Sequence, residues 1–253
     1  AGGALAAADV ISSKPDGYKV FWGAQVFFAT TVRTQKVPFN PDDLVPLANF
    51  MELRLGMPVK ADSPFKTFDD LLNYAKKNPG QLKWCHTGRG ITLHMSAMII
   101  FKKAGVTTID VPYKGTPEAL AALLGGHVEA GSLVYGALSD QVRAGKVRFL
   151  MFYTDQRYKD QPNVPTALEL GYPDAVLPTF FGFYIHKDTP ENIRKTLTDA
   201  CKKIYNDPDF KKGIEKLGEV TRFGGPEFIK EAIKKQEEIG IPILKEVGLY
   251  IEK

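Results

Sequence analysis

Between Lys83 and Tyr153 the chain repeats one pattern: a short apolar extended run, a turn, then a helix that stops near glycine. Trp84-Cys85-His86 leads through Thr87-Gly88-Arg89-Gly90 into an apolar helical run ending at Ala104-Gly105. The strand Thr108-Ile109-Asp110-Val111-Pro112-Tyr113 leads through Lys114-Gly115 into a second helix. Thr116 is its expected N-cap, Pro117 its first residue and Gly125-Gly126 its stop. Residues 127–133 then read as a strand, 136–145 as a helix and 147–153 as a buried strand. Strands and helices alternating this closely need crossover connections, so the expected class is α/β with mixed, mostly parallel sheets.

The flanking segments extend the alternation. Pro15-Asp16-Gly17 is a turn before a strand at residues 18–22, which ends at Gly23-Ala24-Gln25. Thr67 as N-cap, Asp69 and Asp70 in the first turn, and Phe68, Leu71, Leu72 and Ala75 at helical spacing define a helix that Asn78-Pro79-Gly80 ends. Val164-Pro165-Thr166 is expected to open a short helix, and residues 180–185 read as a strand. Helices follow Pro190 and Pro208, and a last one opens at Gly225-Pro226 and is expected to kink or end near Pro242. Residues 53–59 and 178–185 are the expected crossovers between two lobes: residues 1–57 with 179–253, and residues 58–178.

Composition narrows the function classes. The chain has 253 residues, 44% hydrophobic and 25% charged, which suits a globular protein with well-filled cores. The net charge of +4 is carried by scattered lysines, so no nucleic-acid partner is expected. No apolar run reaches transmembrane length and no signal peptide is visible. Two cysteines without a Cys-x-x-Cys pair suggest neither a disulfide framework nor a metal site.

The Gly88-Arg89-Gly90 turn carries the chemistry. A glycine turn at a helix start leaves backbone N–H groups outward, the helix dipole adds positive charge there, and Arg89 supplies a forked donor. It is neither a dinucleotide fingerprint, since Leu93 replaces the third glycine, nor a P-loop. Ligands of open α/β sheets sit at the carboxyl ends of strands, which groups the 22–25, 85–92 and 113–116 loops. Catalysis is not expected. Cys85 and His86 are strand neighbours and point to opposite faces, no Gly-x-Ser-x-Gly elbow exists, and His86 and His94 are wrongly spaced for a helical zinc pair.

Several runs together carry a resemblance. They are Lys14-Pro15-Asp16-Gly17-Tyr18, Ala75-Lys76-Lys77-Asn78-Pro79-Gly80, Gly88-Arg89-Gly90 with His94, and Val111-Pro112-Tyr113-Lys114-Gly115. Leu123-Leu124-Gly125-Gly126-His127-Val128-Glu129, Gly145-Lys146-Val147-Arg148, Val164-Pro165-Thr166-Ala167-Leu168-Glu169, Thr189-Pro190 and Leu217-Gly218 follow, with Ala1-Gly2-Gly3 at the start. In this order and spacing the chain resembles the Bug-type substrate-binding proteins of tripartite tricarboxylate transporters.

The resemblance implies a two-lobed Venus-flytrap fold of the type II periplasmic-binding-protein class. It implies a periplasmic monomer that closes on a small carboxylate (di- or tricarboxylate, amino acid or aromatic acid) and delivers it to membrane permease subunits, with no cofactor, metal or nucleic acid. Docking on a membrane signalling partner is the alternative. The family's opening strand, its Pro-Gly-Gly-type loop and its first helix are absent from this sequence, and the family's usual serines appear as His86 and Ile91.

Under this resemblance Thr87, Gly88, Gly90 and Thr92 are expected to bind the ligand carboxylate. Arg89 is expected either to pair with a distal carboxylate or to face solvent, and His94 to support the loop. His86, Gly23, Ala24 and Gln25 join the expected site. Lys114 offers charge or simply shapes a turn, and Phe180 lines the wall or belongs to the core.

Overall fold

In chain order the elements are α1 (Ala4–Ile11), β1 (Phe21–Ala24), α2 (Gln25–Ala29), β2 (Leu44–Leu53), β3 (Leu55–Lys60), α3 (Phe68–Lys77), β4 (Lys83–His86), α4 (Thr92–Lys103) and β5 (Ile109–Pro112). There follow α5 (Thr116–Leu124), β6 (Ala130–Gly131), β7 (Leu133–Val134), α6 (Tyr135–Arg143), β8 (Val147–Phe152), β9 (Thr179–His186), α7 (Glu191–Asn206), α8 (Pro208–Lys216), β10 (Val220–Gly224) and α9 (Pro226–Glu246). The structure, a computed structural model, describes residues 3–252. Ala1 and Gly2 of the first matching run lie outside the described residues.

Local chemistry marks the starts of α3, α5, α8 and α9. At α3, Thr67 Oγ1 accepts the Asp70 N–H at 3.2 Å and Asp70 Oδ2 accepts the Thr67 N–H at 2.8 Å, so two otherwise orphaned donors are satisfied reciprocally. Thr67→Ala is expected to lower stability by about 1 kcal/mol in urea unfolding. An unchanged midpoint would mean that burial of Phe68, Leu71, Leu72 and Ala75 alone fixes this helix start.

Two local expectations need correction, and of the kink or end expected near Pro242 the end does not occur. Gly115, not Thr116, is the N-cap of α5, and Pro117 stands one residue into the helix, where its missing N–H is still not needed. Residues 164–171 form a turn and no helix. Thr166 and Glu169 exchange capping bonds, but Gly171 at φ 83° leaves the helical region after a single turn. Helix α9 runs through Pro242 to Glu246. Leu244 is fully buried beyond the proline, and the Ile251 N–H donates to the Arg33 carbonyl at 2.8 Å, so tertiary contacts hold the last turn.

The chain divides into two compact units, residues 3–53 with 179–252 and residues 54–178. The first crossing falls between Leu53 and Arg54 rather than at residue 57, because Leu55 to Lys60 pair with β7 and β8 of the second unit. In unit 1 the sheet order is β1-β9-β2-β10 and every pairing is antiparallel. Among the described residues, parallel pairing between strands occurs in the β5-β4-β6 sheet of unit 2, whose other sheet, β7-β3-β8, is antiparallel apart from an isolated parallel bridge of Phe152 to Thr166. The sheets are therefore mixed, but not mostly parallel. Part of the reason is topological: β2 carries the chain out of unit 1 and β9 brings it back at the same point, Leu53 opposite Thr179, so the two strands must run in opposite directions.

Prolines inside central strands mark irregular register. Pro46 in β2 and Pro58 in β3 each stand at a register shift, the place where a missing ladder donor is tolerated. Unit 1 buries Phe21, Phe27, Phe28, Leu44, Tyr184 and Ile229 in one cluster, and Ala48, Phe50 and Cys201 in another. Unit 2 packs Cys85, Leu123, Leu133, Leu138, Phe149 and Phe152 together. At its edge the buried Arg54 guanidinium lies 3.9 Å from the centre of the Tyr135 ring and 4.1 Å from that of Tyr158, and pairs with Asp160 at 2.9 Å.

Candidate functional site

Strand β4 alternates its side chains. Cys85 goes to the α5 side, with its thiol 3.5 Å from the Ala119 carbonyl, while Trp84 and His86 share the face that meets α4. Burial pushes the Cys85 thiol up to about 12, so the thiolate form is suppressed. On the other face the Trp84, His86 and His94 rings pack together, with centroids 5.2 Å (Trp84–His86) and 4.8 Å (His86–His94) apart.

The parallel register places β5 alongside: Asp110 opposes Trp84, and Pro112 opposes His86. Asp110 becomes the hub of this face. Its Oδ2 accepts from Arg89 Nε at 2.8 Å and stands 3.1 Å from His86 Nε2 and 3.8 Å from His94 Nε2. A second, longer bond runs from Arg89 Nη2 to Oδ1 at 3.3 Å. Burial alone would raise the Asp110 carboxyl, but the bonds from Arg89 and His86 outweigh it, and the group titrates below its ordinary value. The same pair holds Arg89 above its ordinary value. Burial drives both imidazoles down. His86 stays below its usual range despite Asp110, and His94, further depressed by repulsion from His86, falls to about 4. At neutral pH the cluster therefore holds two neutral rings, one carboxylate and one guanidinium.

The rings also grip the glycine loop. With its proton on Nε2 toward Asp110, His86 accepts the Gly88 N–H on Nδ1 at 3.1 Å, and His94 Nδ1 accepts the Gly90 N–H at 3.3 Å. Gly88 and Gly90 adopt φ of 151° and 79°, backbone that a side chain would strain. The loop delivers the chain to α4, whose first turn has no side-chain cap and no acidic residue. Thr92, the first helical residue, is buried, and Thr87 is half-buried at the loop entry.

The structure brings His86, Thr87, Gly88, Arg89, Gly90 and Thr92 together on this one loop. Exposed Lys114 lies on the exit of the neighbouring strand β5, its N–H donating to Glu118 at 3.2 Å. Gly23, Ala24, Gln25 and Phe180 form a separate group in unit 1. Gln25 is buried there, its Oε1 accepting the Phe180 N–H at 2.7 Å and its Nε2 reaching Gln236 at 3.2 Å. Phe180 is buried against Phe228, with ring centroids 5.0 Å apart. Sequence reasoning passed over Asp110. The available signal was an acid in the middle of the apolar run Ile109-Asp110-Val111, which calls for a partner.

Among the described residues no helix is long and apolar enough to cross a membrane. Over residues 1–249 the sequence matches the family described as the tripartite tricarboxylate transporter family receptor. It is 34% identical over 244 residues to a UPF0065 protein from the gbd 5' region of Cupriavidus necator, covering 94% of this chain and 74% of that protein. A solved periplasmic transporter is 28% identical with a TM-score of 0.87, covering 100% of this chain and 85% of the other. MatC from Rhodopseudomonas palustris, solved with bound malate, is 25% identical with a TM-score of 0.79, covering 94% and 84%. The likeness takes in both units and nearly every residue, and on that ground the chain belongs to the tripartite tricarboxylate transporter receptor family, with the α/β fold of its periplasmic binding proteins.

Proposed function

We propose that this protein is a periplasmic solute receptor that captures a small organic acid and hands it to the permease subunits of a tripartite tricarboxylate transporter. The observation that carries this reading is the start of α4. Two glycines in special backbone conformations precede a helix whose first turn has neither a side-chain cap nor an acid, so its N–H groups and partial positive charge suit a carboxylate. Thr87 and Thr92 add hydroxyls beside it. The malate bound to MatC supports the same ligand class.

In this reading Gly23, Ala24, Gln25 and Phe180 of unit 1 are a second candidate group of ligand contacts, Lys114 adds long-range attraction for the anion, the protein acts as a monomer, and it catalyses nothing.

Malate and lactate, a diacid and a monoacid, test the proposal in a thermal-shift and calorimetric titration. At about 100 times Kd the ligand is expected to add roughly 2.7 kcal/mol of stability. Because Asp110 already holds its guanidinium, Arg89→Ala is expected to weaken both acids alike. A loss confined to malate would instead place Arg89 on the distal carboxylate. No stabilisation by any small carboxylate would overturn the function.

A further inference from the structure

We propose that His86 Nε2, His94 Nε2 and Asp110 Oδ2 form a site for a divalent transition cation of the zinc class, entered by displacing the Arg89 guanidinium. The inference does not rest on the acid-binding reading, although it shares His86 and Arg89 with the same loop, and metal titration without any acid tests it separately.

Geometry is the first support. The three donor atoms lie within 4.8 Å of one another, with the carboxylate oxygen 3.1 Å and 3.8 Å from the two ring nitrogens. A tetrahedral zinc site with bonds of roughly 2.0–2.2 Å needs donor separations of roughly 3.3–3.5 Å. Two edges of the triangle bracket that range, and the third, no longer than 4.8 Å, closes as the His94 ring shifts toward His86.

The donors come from three different elements, β4, α4 and β5, whose packing fixes their directions. Imidazole nitrogen with a single carboxylate favours zinc, nickel or copper over magnesium or calcium, which prefer all-oxygen shells.

Outer contacts give the second support. A metal on Nε2 of His86 moves that ring's proton to Nδ1, and the Gly88 carbonyl stands 2.8 Å from Nδ1 to accept it. On His94 the same change sets an Nδ1 proton against the Gly90 N–H, so the 3.3 Å bond is lost and the Gly90 peptide must turn away, a cost that the metal bonds have to outweigh.

Charge gives the third. Arg89 is the cation now serving Asp110, and its side chain is half exposed. A metal ion takes over that role while Arg89 swings into solvent, so metal and guanidinium compete for one carboxylate.

Titration of the chelator-treated full chain with ZnCl2 by calorimetry, and with CoCl2 by visible absorption, tests this. One equivalent per chain is expected to bind, with cobalt giving a ligand-field band. His94→Gln and Asp110→Asn are each expected to weaken binding at least about 10-fold. Arg89→Gln is expected to tighten it at least about 3-fold by removing the competitor. This variant changes an exposed loop side chain and keeps the test informative if a buried variant fails to fold. Absence of saturable binding would overturn the site, as would affinity unchanged in both Asp110→Asn and Arg89→Gln.

Discussion

Gly182→Ala is expected to destabilise unit 1 by about 3 kcal/mol, the upper end of ordinary overpacking, and Gly182→Val by more. Gly182 lies mid-strand in β9 and pairs on both sides, with Gly23 of β1 and Asn49 of β2. A β-carbon built there overlaps the Ala48 carbonyl oxygen and approaches Asn49 Cα to 2.6 Å. Both are backbone atoms held in a sheet, so no flexible side chain can yield. Only separation of β2 from β9 relieves the clash, and that pairing is the spine of the unit. Gly213→Ala in α8 is the control. It meets nothing within 4 Å, and the exchange should stabilise by up to about 1 kcal/mol through helix propensity. Urea unfolding followed by circular dichroism reads both. A Gly182→Ala midpoint close to wild type would show that the sheet relaxes at little cost.

That dependence was not legible in the sequence, and the reason separates what was readable from what was not. Thr67 with Asp70, and proline near the starts of α5, α8 and α9, announce helices through bonds and torsions a few residues long. The turn at Val164 carried the same local chemistry and still made no helix, since a start signal does not guarantee continuation. Register is a matter between strands far apart in the chain. Nothing near Pro46 or Gly182 reveals that one meets a register shift and the other a backbone in close approach. Antiparallel pairing of β2 with β9 follows from the chain leaving and returning at one point, whereas local alternation suggested parallel sheets.

The same division applies to the site. The glycine loop and its helix could be read from Trp84 to Met95 because all their parts are consecutive. The role of Arg89 could not. Its partner Asp110 stands 21 residues away, on a strand brought alongside only by parallel pairing. The spacing of His86 and His94 argued against a helical metal pair, and that argument holds for one helix. Here one ring stands at the end of β4 and the other on α4, so helical spacing does not govern their meeting. Gln25 is likewise placed by distant partners, its side chain joining α2 to β9 and α9 within unit 1.

The second large effect is a loss of stability on mild acidification, expected to total roughly 3 kcal/mol and to belong chiefly to His94. In the unfolded chain this imidazole titrates near 6.5. In the native state burial, and then repulsion from His86, lower it to about 4, with Arg89 acting in the same direction and Asp110 opposing. Between these values the unfolded state binds a proton that the native state refuses. The sign follows: stability is fully present above pH 6.5, declines as pH falls, and the loss is complete near pH 4. His86, also depressed by burial, adds to the decline in the same direction. The carboxylates held below their ordinary values, Asp70, Asp110 and Glu169, start from 3.8, 3.8 and 4.5 in the unfolded chain and release their contributions at lower pH. The window from pH 5 to 6.5 therefore isolates the two rings from them. Urea unfolding across that window, with chelator present to exclude metal, should show stability falling with pH, and His94→Gln should flatten the curve. An unaltered slope in the variant would move the proton uptake away from His94.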